Sequence, residues 1–392
     1  MIRLLTAGES HGPAMMAILD GMPAGVPLHP AGIDRELARR QQGQGSGPRM
    51  QIEHDRVQIL GGVLDGVTTG APVALLVHNE DHARWRGVEV EPMTAPRPGH
   101  ADLTGAVKYG YRDLRPASER ASARETVARV AAGAVCKRFL AQFGIRVGGY
   151  VVAIGDVAAD LGDLSYEDRL TRAEESAVRC PVEPAASAME AAIAEATGAK
   201  DTLGGEIEVV ALGVPVGLGS FAQWDRRLDA QLARAVVSVQ AIKGVAIGDA
   251  FANARRPGTQ AHDGMALDAA RRVVERTTNR AGGVEGGVSN GSPIVVRAAM
   301  KPIATTLTPQ STVDLATGEN ALTAYERSDF CPVPRAVPVL EAMVAFVLAD
   351  ALIAKLGGDS MEEMRPRFAA LRTTALDDLP MDSSPRVLWD GE

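Results

Sequence analysis

At 392 residues the chain can bury a substantial core as one large domain or a few ordinary ones, and its 46% hydrophobic and 23% charged content is that of a folded soluble protein. A formal net charge of −8 excludes a global field drawing it to nucleic acid or an anionic membrane, so any anion it binds must be met locally. Three cysteines, Cys136, Cys180 and Cys331, are odd in number and far apart, which fits reduced thiols and no disulfide or metal site.

The chain opens on a short apolar run, Ile2 to Leu5, read as a strand that delivers the turn TAGESHG, Thr6 to Gly12. Glu9, Ser10 and His11 place a carboxylate, a hydroxyl and an imidazole in succession, between glycines that admit backbone angles closed to other residues. Taken alone this is a surface turn with a solvated histidine. Arg3 and Glu9 bracket an apolar run too short for a secretory leader, and the reduced cysteines predict a cytoplasmic protein.

Ala14 to Leu19 is apolar and runs into the turn Asp20 to Pro23. Ile33, Leu37 and Arg39-Arg40 fit an amphipathic helix stopped by Gly43 and followed by the glycine-rich loop GQGSGPRM, Gly43 to Met50. Arg40 and Arg49 stand at the ends of that loop, which is either anion-wrapping or a flexible surface loop. Ile52 to Leu60 alternates like a half-buried strand, and Pro72 to Val77 reads as a buried one.

Two segments match in register: Gly61 to Val73 is GGVLDGVTTGAPV and Gly282 to Ile294 is GGVEGGVSNGSPI. Each is a glycine-rich turn feeding a strand. The pair predicts two related halves packed about a pseudo-twofold axis with a site between them, against chance similarity of Gly/Val-rich stretches.

Ala95 to Arg120 holds APRPGHAD and KYGYRDLRPASER and reads as a long ordered loop. Ser122 to Glu125 has the S-x-x-E capping pattern and predicts a helix running to Phe143-Gly144, with Arg120 and Ser122 at its anion-favouring N-terminus. Ile145 to Val157 and Ile207 to Val216 read as strands, with peripheral helices and loops between them. Leu228, Leu232, Val236 and Val239 have helical spacing, closed by QAIKG, Gln240 to Gly244. KPIAT (Lys301 to Thr305) and RSD (Arg327 to Asp329) are polar breaks. Ala336 to Leu356 is apolar but carries Glu341, Asp350 and Lys355, which predicts a buried or interface helix and no membrane span. The end of the polar section 359–392 is expected to be poorly ordered.

Two patterns invite other chemistry. GLGSFA, Gly217 to Ala222, satisfies the dinucleotide fingerprint, but Pro215 breaks the preceding strand and the helical pattern starts only near Leu228. His78 and His82 in HNEDH have metal-ligand spacing only on a helix, and the strand before them favours a turn. A glycine-rich assembly protein with arginine loops as subunit contacts is a further, non-enzymatic alternative. What remains is Ser10, His11, Arg40, Arg49, His100, Arg120, Ser122, Arg327 and Asp329 in glycine- or proline-defined turns. Two histidines suit proton donation near neutral pH, and arginines suit carboxylate and phosphate, so a multiply anionic small substrate is expected.

GESHG, RPGHAD, ERASARET, NRAGGVEGG, KPIAT and RSD, in this order, resemble the chorismate synthase family from Met1 to about Gly358, with 359–392 as an extension. The resemblance implies an α+β fold, a β-α-β sandwich with internal pseudo-symmetry in a single large domain, assembled as a homotetramer. It implies conversion of 5-enolpyruvylshikimate-3-phosphate to chorismate with release of phosphate, a carbon–oxygen lyase reaction of the shikimate pathway and aromatic amino acid biosynthesis. Reduced FMN would be required without net redox change, supplied by an external flavin reductant, with NADPH as an indirect source. It further implies that His11 protonates the departing phosphate and His100 acts on the reduced flavin. Asp329 would help the flavin N5 take the substrate proton, with Ser10 and Ser122 assisting. FMN contacts would be Arg120, Ala121, Ser122, Gln240, Ala241, Gly286, Lys301, Pro302, Ile303, Ala304, Thr305 and Arg327, with Arg40 and Arg49 on the substrate side. The family commonly has a second arginine in the glycine-rich loop, tied to NADP contact. Here it is Ser46, which removes one charge and puts NADPH handling at Arg40 and Ser46 in question.

Overall fold

The structure is a computed structural model that describes residues 1–45, 54–325 and 329–386. β1 (Arg3–Ala7) pairs antiparallel with β2 (Ala14–Asp20), Leu5 opposite Ile18. α1 (Pro30–Gln41) starts on a proline, whose missing N–H has no partner to lose in a first turn, and buries Ile33 and Leu37. Then come β3 (Val57–Gly61), the short β4 (Val63–Leu64) and β5 (Val67–Thr68), and β6 (Val73–His78), completing a sheet of order β1-β2-β6-β3. Of the strand expected from Ile52, residues 52–53 lie outside the described residues and 54–56 are not strand, so β3 covers only its second half.

The stretch 95–120 is not one irregular loop. It contains α2 (Asp102–Tyr109), ended by Gly110 at φ 69, and α3 (Arg115–Ala121), opened by Pro116. α4 (Thr126–Ala141) follows a single 3-10 turn over 123–125. Ser122 caps that turn through Oγ and the Arg124 N–H, but Glu125 does not reach back to complete a capping box. Its carboxylate accepts instead from Thr6, Arg129 and Gln240. Arg120 lies in the last turn of α3, and its guanidinium turns back to Thr6 and the Gly8 carbonyl.

The second sheet is formed by β7 (Arg146–Ile154), β8 (Val157–Ala158), β9 (Gly205–Leu212), β10 (Ile242–Ile247) and, later in the chain, β15 (Ile294–Met300), in the order β10-β15-β9-β7-β8. α5 (Tyr166–Glu175) and α6 (Glu183–Gly198) separate β8 from β9. α7 (Leu228–Val237) precedes β10, so Ile242 to Gly244 of QAIKG open a strand instead of closing the helix. Between β10 and β15 lie α8 (Ala250–Asn253), α9 (Gly258–Ala261), the hairpin β11 (Met265–Asp268) and β12 (Val273–Arg276), and the hairpin β13 (Val284–Glu285) and β14 (Val288–Ser289). After β15 come the hairpin β16 (Ser311–Asp314) and β17 (Glu319–Leu322), then α10 (Val333–Leu356) and α11 (Met361–Ala369). α11 buries Met361 and Met364, so the polar tail begins with a packed element.

All named strand pairings are antiparallel, which leaves GLGSFA without a parallel βαβ unit; Gly219 bridges to Val288 instead. The two matching glycine-rich segments fold alike. Each makes a tight hairpin with both turn residues at positive φ, Asp65 (49) and Gly66 (77) in one, Gly286 (60) and Gly287 (85) in the other. Gly62 and Gly283 have φ 81 and 78, and a Cβ on either would stand 2.5 Å from a proline carbonyl, Pro72 or Pro293. Apart from β8 at the edge, the order β7-β9-β15-β10 follows the same pattern as β1-β2-β6-β3.

α10 is the centre of the core. It is long and apolar enough to cross a membrane, but it is largely buried against α1, α4, α7, β7 and β9. Mixed helix and antiparallel sheet on this shared core make the chain an α+β protein.

Candidate active site

A cleft of about 660 Å³ opens between the turn after β1, the end of α1, the region from 97 to α4, the α7–β10 connection, the segment after β15 and the start of α10, with Trp85, Tyr325 and Asp329 also in its lining. Its size is in the range of clefts that engulf small organic ligands.

The first wall carries His11. Gly8 turns the chain at φ 113, where a Cβ would stand 2.4 Å from the Ala14 carbonyl. Asn79 fixes the turn by donating to the carbonyls of Glu9 (3.1 Å) and Gly12 (2.8 Å). Glu119, from α3, accepts the His11 backbone N–H at 2.7 Å and meets its Nδ1 at 2.6 Å. Trp85 packs on the imidazole, centroids 4.3 Å apart, and His82 bonds the His11 carbonyl through Nδ1 at 2.9 Å. With Nδ1 held, Nε2 is the nitrogen that can present a proton to the cleft. Burial opposes the Glu119 carboxylate, but the bonds from His11 outweigh it and hold its pKa below the usual range. Beside the ring, Ser122 donates to the Ser10 Oγ at 3.1 Å.

His100 is held in the same way. Its Nδ1 meets Asp102 at 2.6 Å, and Asp102 is fully buried at the start of α2. Arg97 clamps that carboxylate with Nε at 2.8 Å and Nη2 at 2.9 Å, and Nη2 also donates to Ser118 at 2.7 Å. Burial again works against the Asp102 charge, and the bonds from His100 and Arg97 prevail, keeping it well below ordinary carboxylates. Each imidazole therefore has a fixed ring and one nitrogen directed by elimination to the other side.

Between the histidines and α10 lies a group of buried guanidiniums. Arg40, at the end of α1, donates from Nε to Thr126 Oγ1 at 2.9 Å and from Nη2 to the Ala123 carbonyl at 3.1 Å. Arg124 pairs with Asp55 at 2.7 Å, and Arg40 faces the same carboxylate at 3.5 Å. Arg335 donates from Nε to the Arg40 carbonyl at 3.2 Å and pairs with Asp329. Burial lowers the Arg40 pKa, Asp55 resists the change, and Arg335 and Arg124 add to it. Three guanidiniums and two carboxylates, Asp55 and Asp329, leave this group of five side chains one net positive charge, which favours an anion at this wall.

The opposite wall joins two segments by a backbone bond from the Lys301 N–H to the Ala241 carbonyl at 2.9 Å. Ala241 sits at φ 66, a conformation disfavoured for alanine and here adopted at a cleft-lining position. Gln240 Nε2 donates to Glu125 at 3.1 Å, while its buried Oε1 has no partner among the described residues. Val239, Met300, Ile303 and Val339 add apolar surface. Among the described residues no cluster suits a metal ion.

A protein-family model described as chorismate synthase matches residues 2–353. The chain is 51% identical over 389 residues to a chorismate synthase of Chlorobaculum tepidum, covering 95% of this chain and 98% of that one. This chain belongs to the chorismate synthase family. A chorismate synthase of Rubrobacter xylanophilus is 53% identical over 371 residues, covering 93% of this chain and 94% of that protein. A crystal structure of a chorismate synthase superposes with TM-score 0.77 at 44% identity, covering 94% of this chain and 96% of the other. As a chorismate synthase the chain is a lyase that eliminates phosphate from 5-enolpyruvylshikimate-3-phosphate to form chorismate, a step of the shikimate pathway.

Of the chorismate synthase residues expected from the sequence, Ser10, His11, Arg40, His100, Ala121, Ser122, Gln240, Ala241, Lys301, Ile303, Ala304, Thr305 and Asp329 line this one cleft. Three do not. Arg120 turns to β1 and donates to Thr6 and the Gly8 carbonyl, Gly286 sits in the β13–β14 turn, and Pro302 is exposed beside the cleft lining. Ser46, Arg49 and Arg327 lie outside the described residues. The sequence reading missed Glu119, Asp102, Arg97, Arg124, Asp55, Trp85 and Arg335 as parts of the site. Arg97, Asp102, Glu119 and Arg124 stood inside quoted motifs, and Asp55, Trp85 and Arg335 carried no local signal.

Proposed function

We propose that this chain performs the elimination with reduced FMN bound in the cleft, and that His11, His100 and Asp329 are its proton-handling groups. One observation supports the reading above others: two imidazoles, one fixed by the half-buried Glu119 and the other by the fully buried Asp102, face one cleft with a cluster of buried arginines. A multiply anionic substrate needs the arginines, and a departing phosphate needs an acid.

Loss of phosphate and a ring hydrogen in a 1,4 sense requires a proton donor for the leaving group and electron density for the developing allylic centre. Reduced FMN, when bound, supplies that density transiently without net redox change. The wall of Val239, Gln240, Ala241, Met300, Lys301, Ile303, Ala304 and Thr305 fits such a group, with apolar surface for a ring, backbone polar groups and the Lys301 ammonium for a phosphate. The orphaned Gln240 Oε1 is the kind of acceptor a ring N–H could satisfy. Arg40, Arg124 and Arg335 hold the substrate's phosphate and carboxylates. His11 Nε2 delivers the proton to the leaving phosphate while Glu119 orients the ring, and Ser10 and Ser122 link it by hydroxyls to the rest of the cleft. His100 and Asp329 hold protons on the cofactor side. Arg120 and Gly286 do not line this cleft within one chain, so direct FMN contact at those positions is not part of the reading.

A homotetramer is the assembly proposed, supported by an apolar outer face on the first sheet where Leu5, Met16 and Ile18 are exposed. The matched hairpins and strand orders favour two related halves about a pseudo-twofold axis. We place the activity in the cytoplasm, with reduced FMN arriving from an external reductant and NADPH acting only indirectly. The test is an anaerobic assay with 5-enolpyruvylshikimate-3-phosphate and chemically reduced FMN, without NADPH. Chorismate formation and tighter FMN binding with substrate present are expected. NAD binding with no FMN response would overturn the reading.

A further inference from the structure

α10 is almost wholly apolar, yet its middle carries one carboxylate, Glu341, with 0% exposure. Three helices meet on it. Arg39 of α1 donates to it twice, from Nη1 at 2.7 Å and Nη2 at 2.9 Å, and Lys137 of α4 reaches it at 2.5 Å. Arg39 and Lys137 also share Glu36, each at 2.7 Å. On the outer side Arg39 pairs with Glu174, Glu174 pairs with Arg179, and Arg179 donates to the Arg39 carbonyl at 2.9 Å. Acids and bases balance within this group, so it is closed and offers no site for a ligand. Burial opposes the Glu341 charge, and Lys137 and Arg39 overcome it, holding its pKa below the usual range.

A buried ionic network of this kind is typically no more stabilising than well-packed apolar side chains of the same volume, because desolvation consumes most of the attraction. Stability is therefore a poor account of it, and geometry is a better one. The same three helices build the guanidinium wall of the cleft. Arg39 is the neighbour of Arg40; α4 begins with Thr126, which receives Arg40 Nε; and α10 carries Arg335, which donates to the Arg40 carbonyl. A slide or rotation of α1 would uncouple these contacts.

We infer that Glu341, with Arg39 and Lys137, is a positioning device that locks the last turn of α1 against α4 and α10 and so sets how Arg40 meets the phosphorylated substrate. The inference rests on the reading that Arg40 faces that substrate. Apolar replacement of the network should leave the fold intact and loosen substrate binding.

The experiment compares wild type, Glu341→Gln, and the charge-balanced variant Glu36→Gln/Arg39→Met/Lys137→Met/Glu341→Met in the anaerobic assay, with melting followed by circular dichroism. The balanced variant leaves no buried charge stranded, which covers the case in which Glu341→Gln alone does not fold. Expected for it are a Tm no lower than wild type, a KM for 5-enolpyruvylshikimate-3-phosphate raised about tenfold, as for one lost charge-assisted hydrogen bond, and kcat within about threefold. A KM within about twofold of wild type overturns the inference. A balanced variant that cannot fold overturns it too, since the network would then serve stability. Wild type forming no chorismate strikes the assignment of the cleft, a failure seen before any variant is compared.

Discussion

Replacing Glu119 with glutamine keeps the side chain's shape and removes its charge. In the structure Glu119 holds His11 twice, at Nδ1 (2.6 Å) and at the backbone N–H (2.7 Å). Glutamine can keep the backbone contact through its carbonyl, so the loss falls on the charge-assisted bond to the ring. Such a bond contributes about 1.5–3 kcal/mol, which corresponds to a fall in kcat of about 10- to 100-fold if it is expressed in the transition state. Removing the acid itself, in His11→Ala, should lower kcat by about 10² to 10⁴-fold while FMN and substrate still bind. Because Glu119 acts through His11, the double variant Glu119→Gln/His11→Ala should be no slower than His11→Ala alone. Single-turnover measurements under anaerobic conditions read these rates directly. A Glu119→Gln enzyme with wild-type kcat, or a double variant whose losses multiply, would refute the coupling of the two residues.

Acid should weaken the fold. Glu119, Asp102 and Glu341 all have folded-state pKa values below their ordinary ones, so their stabilisation is complete above the usual carboxylate range of about 4 and is lost as pH falls toward the depressed values. Tm measured from pH 7 to pH 3 should fall below about pH 4, and Asp102→Asn should be less stable at pH 7 with a shallower acid decline. All three cysteines are buried, and burial pushes Cys136 and Cys331 up to about 12, so a thiol reagent should label none of them at neutral pH until denaturant unfolds the chain. Gly286→Ala should lower stability by about 1–2 kcal/mol, the strain of a left-handed alanine in open space. Gly62→Ala and Gly283→Ala should each lower Tm further than Gly286→Ala, because their Cβ would also meet a proline carbonyl at 2.5 Å.

What the sequence disclosed follows from the range of its signals. TAGESHG and RPGHAD were legible because glycine and proline mark turns locally, and both turns do present their histidines to the cleft. The helix 228–237 and the buried α10 were legible from periodicity and composition. The carboxylate behind His11 was not, since Glu119 is 108 positions away and only the packing of α3 on the N-terminal turn joins them. Asp55 and Arg335 were invisible for the same reason. The start read at Ser122 is there, but the orientation of Arg120 had no local signal, since α3 ends around it and turns its guanidinium to β1. The region 95–120 looked irregular because α2 and α3 are short and bounded by glycine and proline, so neither shows a full helical period.

α10 is also made after every element it covers in the core. It begins at Val333, and α4, β7 and β9, which it covers, are synthesised long before it. Until it leaves the ribosome those earlier elements lack their main hydrophobic partner, and at about 5–20 residues per second the interval between α4 and α10 lasts on the order of ten seconds or more. Until α10 is made, the growing chain therefore carries an uncovered apolar surface on α4, β7 and β9, the kind of surface that chaperones hold.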